Sequence, residues 1–202
     1  MVALPEQNVS AYYPKNFMGN PSCPLDDFFG SLMEAGTVDQ IEKEMSPASL
    51  TELSDATAPI ISQYMETAIE GLRITQVAHD MLPILWVLDK DGRIHLALEE
   101  VYEDLGSGRR FPLARGIKVP NGFRKLGHPS LIDSEPKVAR IGGELLYDPD
   151  PDFGVEGWVI TNSSGRFGYG EHRVEKHLRN VADVFAAYGI SVDVYYIPPV
   201  TQ

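Results

Sequence analysis

The sequence predicts an α+β fold in which N-terminal helices pack on a mainly antiparallel sheet of hairpins, with a C-terminal helix and a final strand. Three patterns predict it. An apolar face of helical period runs from Ile60 to Leu72, two hairpin patterns occupy 84–98 and 138–161, and a second helical face at 174–185 leads into a β-branched run.

After a Pro-rich lead, Ser46-Pro47 reads as an N-cap followed by proline at the first helical position, and so predicts a short helix. Ser54 or Asp55 caps a longer one, whose face is Ile60, Ile61, Tyr64, Met65, Ala68, Ile69 and Leu72, with Tyr64 and Met65 read as core. His79 and Asp80 stand near its end, where an imidazole complements the negative helix terminus. Ile84–Leu88 and Arg93–Leu98 flank Asp89-Lys90-Asp91-Gly92, a turn whose glycine can take positive φ. Val138–Tyr147 and Gly157–Thr161 form the second hairpin across Asp148-Pro149-Asp150-Pro151-Asp152. The alternate aspartates there fail as a calcium loop, because the pattern needs glycine at its sixth position and glutamate at its twelfth. Val174, Leu178, Val181, Ala182 and Phe185 line the last helix, which Gly189 ends. Ile190–Ile197 is the closing strand.

The 202 residues carry a net charge of −12, unevenly spread. Residues 1–104, an acidic helical region plus the first hairpin, hold 5 basic and 18 acidic side chains. A Gly- and Pro-rich connector over 105–137, extended to Arg140, holds 8 and 2. The remaining hairpin-helix-strand module, 138–202 by its strands, holds 4 and 9 from residue 141 onward. The three parts are expected to form one compact domain. The connector's density of breakers excludes a continuous helix and predicts a long structured loop, which either neutralises the acidic half or offers arginines to an anion. The acidity argues against duplex nucleic acid and against an anionic membrane surface, both of which require cations, and favours a basic protein partner. Oligomeric state is not legible.

Cys23 is the only cysteine, so no disulfide forms within the chain and a reducing compartment fits. The first residues lack a basic n-region and an apolar h-region, and no stretch approaches the ~18 apolar residues of a spanning helix. The expected setting is a bacterial cytoplasm, or delivery by a specialised secretion system, which leaves no such signal. No cofactor motif is present. Gly165, Gly168 and Gly170 reverse the dinucleotide fingerprint, although a backbone nest there could hold an anion, and Gly106-Ser107-Gly108 lacks the third glycine. No metal site is expected, since His172 and His177 are separated by roughly 140° around the helix.

What remains is a polar set on the second hairpin. If its strands pair, Arg140 and Glu144 meet Asn162, Ser164 and Arg166 at a sheet edge beside a helix N-terminus, with Tyr169 close by. The structural alternative is an ion pair of Glu144 with Arg140 or Arg166 and a turn built by Asn162, Ser163 and Ser164. The functional version is a pocket in which Arg140, Asn162, Ser164, Arg166 and Tyr169 bind an anionic ligand. There Glu144 is acid or base and His128 a second proton carrier, chosen because free imidazole titrates near neutrality.

His128-Pro129-Ser130-Leu131, Gly142-Gly143-Glu144-Leu145 and Asn162-Ser163-Ser164-Gly165-Arg166-Phe167 occur in that order before a helix. In this the span Lys125–Gly189 resembles a C-terminal module of bacterial effector and polymorphic-toxin proteins. The resemblance implies an inter-bacterial or host-directed system. Arg166 and Phe167 stand where the module's commoner form has His and Tyr, so any chemistry resting on that His would be lost or altered here. Two functions follow as expectations: an immunity- or adaptor-like interaction protein that binds a basic toxin or effector, or an effector enzyme acting on a nucleotide-like or phosphorylated substrate at the Arg140/Glu144/Ser164/Arg166 edge.

Overall fold

The computed structural model describes residues 24–104, 108–149, 157–169 and 173–199. Cys23, most of the Asp-Pro connection, Gly170 and His172 lie outside the described residues. The fold is α+β, as the sequence predicts. Among the described residues five α-helices, α1 (Pro24–Phe29), α2 (Gln40–Glu44), α3 (Ala58–Ile69), α4 (Arg73–Met81) and α5 (Glu175–Ala187), accompany ten strands. In order these are β1 (Met33–Glu34), β2 (Thr51–Glu52), β3 (Ile84–Asp89), β4 (Ile94–Leu98), β5 (Glu100–Glu103), β6 (Arg110–Pro112), β7 (Phe123–Leu126), β8 (Val138–Asp148), β9 (Gly157–Thr161) and β10 (Asp193–Tyr195). Among the described residues no helix is long and apolar enough to cross a membrane.

The main sheet has seven strands in the order β10-β9-β8-β3-β4-β2, with β1 paired to the start of β8. Both hairpins form where the sequence places them: Trp86 pairs with Leu96 and Gly92 takes φ of 84°, while Leu145 pairs with Ile160. The sheet is antiparallel except where α5 carries the chain from β9 to a parallel β10. The closing strand is shorter than the sequence pattern, Asp193–Tyr195 within 190–197.

Both faces of the centre are covered, which explains the unbroken apolar run Leu85-Trp86-Val87-Leu88, all fully buried. On one face Trp86, Leu88, Ile141 and Leu145 pack with Met65 and Ala68 of α3 and with Leu178, Val181 and Phe185 of α5. On the other, Leu85, Val87 and Ala139 pack with Leu131, Ile132 and Phe167.

Three local expectations fail. No helix follows Ser46-Pro47; the N–H groups of Ala48 and Ser49 instead donate to the buried Glu100 carboxylate at 2.9 and 3.0 Å, and Ser49 Oγ donates to it at 2.6 Å. The long helix is two, broken at Gly71, where a Cβ would lie 2.1 Å from the Thr67 carbonyl oxygen and 2.5 Å from Thr75 Oγ1. Of its expected apolar face Met65 and Ala68 are buried, but Ile60, Tyr64, Ile69 and Leu72 are exposed. The basic connector is more ordered than a loop: β6 and β7 pair on either side of β5 in a three-stranded antiparallel sheet.

Candidate functional site

The polar set of the second hairpin divides in two, and a β-bulge divides it. Opposite β3, Leu88 pairs with Ile141 and Asp89 with Ala139, so Arg140 is an extra residue without a partner position. Strand alternation would put Arg140 on the face of Glu144; the bulge turns it instead toward α1. There the buried guanidinium pairs with Asp26 through Nη1, and also donates to the Gly30 carbonyl at 3.2 Å and the Lys90 carbonyl at 3.3 Å. Arg173 lies close by, donating through Nη2 to Ser31 O at 2.9 Å, and Asn180 Nδ2 donates to Phe28 O at 2.7 Å. The carbonyls at and just beyond the end of α1 are thus capped by Arg140 of the sheet, by Arg173 ahead of α5 and by Asn180 on α5. Arg140 is a fold-stabilising arginine, not part of the Glu144 site.

Asn162 and Ser164 also serve the fold. The Asn162 amide donates to Gly168 O at 3.1 Å and Ile197 O at 2.9 Å, and its Oδ1 accepts Ile197 N–H at 2.7 Å, which ties the turn after β9 to the chain beyond β10. Ser164 Oγ accepts Phe167 N–H at 3.2 Å. Both side chains are buried, and the turn is so tight that a Cβ on Gly168 would sit 1.8 Å from the Asn162 carbonyl oxygen. Tyr169, 40% exposed, stands on the surface beyond it.

Glu144 and His128 are linked through Lys125, whose charge acts on both, whereas Arg166 acts on His128 alone and Arg115 and Glu99 act on Glu144 alone. His128 opens a 3-10 turn, His128–Leu131, held from below by Glu42, whose carboxylate accepts Gly127 N–H at 3.1 Å and Asp39 N–H at 3.0 Å. His128 Nε2 lies 2.9 Å from the Gly143 carbonyl oxygen and must therefore carry the proton. Burial, reinforced by the positive charges of Lys125 and Arg166, holds the His128 pKa down to about 4 although the Gly143 bond opposes the shift. The imidazole is neutral near pH 7, so the near-neutral titration of a free imidazole does not carry over to this buried ring.

The Glu144 carboxyl is shifted the other way, raised first by burial and then by the charge of Glu99, against the opposing influence of Lys125, Arg115 and a hydrogen bond with the Ser163 side chain. Lys125 Nζ pairs with Glu99 at 2.5 Å. Two neighbourhoods thus share Lys125: Glu144 with Glu99, Arg115 and Ser163, where a proton can be exchanged beside two cations, and the neutral His128 with Arg166. Lys125, Arg115, Glu99 and Ser163 were not singled out from the sequence as members of either. The signal for two of them was the basic stretch itself, which β7 folds onto the sheet.

A separate cleft of about 300 Å³ lies between β1 and the start of β8, lined by Glu34, Thr37, Lys43, Glu135 and Lys137, with none of the Glu144 group. Among the described residues no group of three or more His, Cys, Asp and Glu side chains could hold a metal ion.

The remaining feature is a surface. Between Lys43 and Arg73 the chain has no Lys or Arg but carries Glu44, Glu52, Asp55, Glu66 and Glu70. On α3 Ile60 and Tyr64 are exposed on one flank and Ile69 on the other, with the exposed Glu66 and the neighbouring Glu70 on the side away from the core. Comparison with protein-family models, with curated proteins and with solved structures finds no match for this chain.

Proposed function

We propose that the chain is an acidic protein-interaction module of a bacterial toxin or effector system, immunity- or adaptor-like, which works in the cytoplasm or is delivered by a specialised secretion system and binds a basic protein partner. The observation that carries this reading is the exposed surface of α3, where Ile60 and Tyr64 on one flank and Ile69 on the other stand exposed beside Glu66 and Glu70, with no cation on the helix. Such a face offers apolar area for affinity and negative potential for steering, and it repels acidic competitors. The residue pattern of Lys125–Gly189 supports the same setting.

The second reading, an effector enzyme acting on a nucleotide-like or phosphorylated substrate, draws on the Glu144 group. Arg140, Asn162 and Ser164 spend their hydrogen bonds inside the fold, which leaves that reading with Glu144, His128 and Arg166 and the cations of the connector.

One experiment separates them. The chain is expressed in a bacterium alone and together with the product of the adjacent gene. Harmless expression that rescues cells from a toxic neighbour, with rescue abolished by Ile60→Asp combined with Glu66→Lys and Glu70→Lys, is the expected result. Toxicity of the chain alone, removed by Glu144→Ala, would overturn the interaction reading in favour of the enzyme.

A further inference from the structure

Helix α4 is amphipathic and faces the wrong way for a helix of a lone globular chain. Its polar residues point inward: Thr75 Oγ1 donates to the Thr67 carbonyl at 3.0 Å, His79 Nε2 lies 2.8 Å from Thr67 Oγ1, and Gln76 Nε2 donates to Ile69 O at 3.3 Å. The His79 ring is sandwiched edge-on between Tyr64 and Trp158, at 4.4 and 5.4 Å. Its apolar residues point outward. Ile74 is 75% exposed, Val77 49% and Met81 38%, and their spacing of three and four places them within an arc of roughly 60° on the helix. In an ordinary surface helix this stripe would be the buried one.

The charges beside the stripe say what covers it. The charged residues of α4 other than His79 are Arg73 at its first position and Asp80 next to its last. Seven residues apart, they lie on the same flank of the stripe, about 10 Å from one another along the axis. Consider a second α4 laid antiparallel against the first about a two-fold axis normal to the helices. The flank maps onto the same flank of the copy with its direction reversed, so Arg73 of each chain meets Asp80 of the other while Val77 meets its counterpart near the axis. A stripe that is apolar along its centre and charged +/− along one edge is complementary to itself under that symmetry, as an isologous interface requires. A partner helix rich in lysine would gain at Asp80 but be repelled at Arg73. The structure therefore assigns the α4 face to a second copy of this chain: we infer a two-fold homodimer closed by antiparallel α4 helices. This goes beyond the α3 reading and does not depend on it.

The net charge of −12 per chain opposes the association, so the dimer is expected to strengthen as moderate salt screens the long-range repulsion. That sign is opposite to the salt weakening expected for a basic partner on α3.

Sedimentation equilibrium and light scattering on the full chain, across a concentration series, test the inference. The expected result is a reversible monomer–dimer equilibrium in the micromolar range, weakened at least tenfold by Val77→Asp. Asp80→Arg alone should weaken it, and Arg73→Asp combined with Asp80→Arg should restore it. A chain that stays monomeric through high micromolar concentration, or a dimer indifferent to Val77→Asp, overturns the proposal. So does a dimer in which the charge exchange fails to rescue. Circular dichroism checks that each variant is folded; were Val77→Asp to unfold, the charge-exchange pair, both surface changes, decides alone.

Discussion

Acid should weaken this fold chiefly through His128, and the size of the effect can be worked from its surroundings. The ring lies buried beneath β8 with its Nε2 proton on the Gly143 carbonyl, and the folded chain holds its pKa down to about 4 against an ordinary 6.5. A base whose folded pKa is depressed stabilises the fold fully above its unfolded pKa and progressively less as pH falls, because the unfolded chain then binds the proton and the folded chain does not. From neutral pH the loss amounts to about 2 kcal/mol by about pH 5 and about 3 kcal/mol by about pH 4, at 1.36 kcal/mol per unit of differential binding.

Glu144 works in the opposite direction over the acid range. Its raised pKa lets the folded state take up a proton before the unfolded state does, so that contribution grows as pH falls. The measurement must therefore be a difference. His128→Gln keeps an N–H donor near the Gly143 carbonyl and removes the titration. Urea unfolding of both proteins, with a fixed m value, should show the stability of the wild type relative to the variant falling by about 2 kcal/mol between pH 7.5 and about pH 5. A difference that stays flat over that window would refute the placement of a neutral, buried His128.

Other perturbations test other parts of the framework. Arg140→Ala removes the partner of Asp26 and the cap on Gly30, and should cost about 3 kcal/mol in urea unfolding, with Asp26→Asn also destabilising because it leaves the guanidinium buried. Gly143→Ala would place a Cβ 1.8 Å from the Thr161 carbonyl oxygen, a backbone atom that cannot swing aside, and should cost at least about 3 kcal/mol or prevent folding. Gly165→Ala, with open space around it, should stay within about 0.5 kcal/mol of wild type. Glu144→Gln should raise the melting temperature at pH 7, where the buried carboxylate is penalised, with the gain shrinking toward pH 4 as the wild-type group protonates.

The elements legible in the sequence were those decided by local pattern. The first hairpin announced itself through an Asp-Gly turn between two apolar runs, and α5 through a buried stripe ended by Gly189. What could not be read was decided by contacts distant in the chain. The N–H groups after Pro47 are claimed by Glu100, fifty residues on, so a sound helix-start signal goes unused. Gly71 breaks a continuous helical period because α4 must approach α3 closely enough for Thr75 to reach the Thr67 carbonyl. Arg140 and Glu144, four apart on one strand, share a face by the two-residue period, and a single inserted residue in the pairing separates them. Asn162 and Ser164 have the chemistry of a ligand site and of a turn alike, and only the Ile197 and Phe167 contacts decide for the turn.

The two exposed faces of the α3–α4 hairpin are adjacent but chemically distinct, and this gives the proposals a joint consequence. α3 is apolar and acidic without a cation, while α4 carries its own complement at opposite ends of one stripe. If α4 closes a dimer, two copies of the acidic α3 face are held in one rigid assembly, and a partner with two basic segments, or one displayed at high density, would bind with an effective concentration that neither face supplies alone. Val77→Asp should then lower retention on a densely immobilised basic partner by at least about tenfold, while binding to the same partner at low density changes less than about twofold. Equal losses at both densities would mean that the α4 stripe touches the partner directly, and the assignment of separate tasks to the two helices would fail.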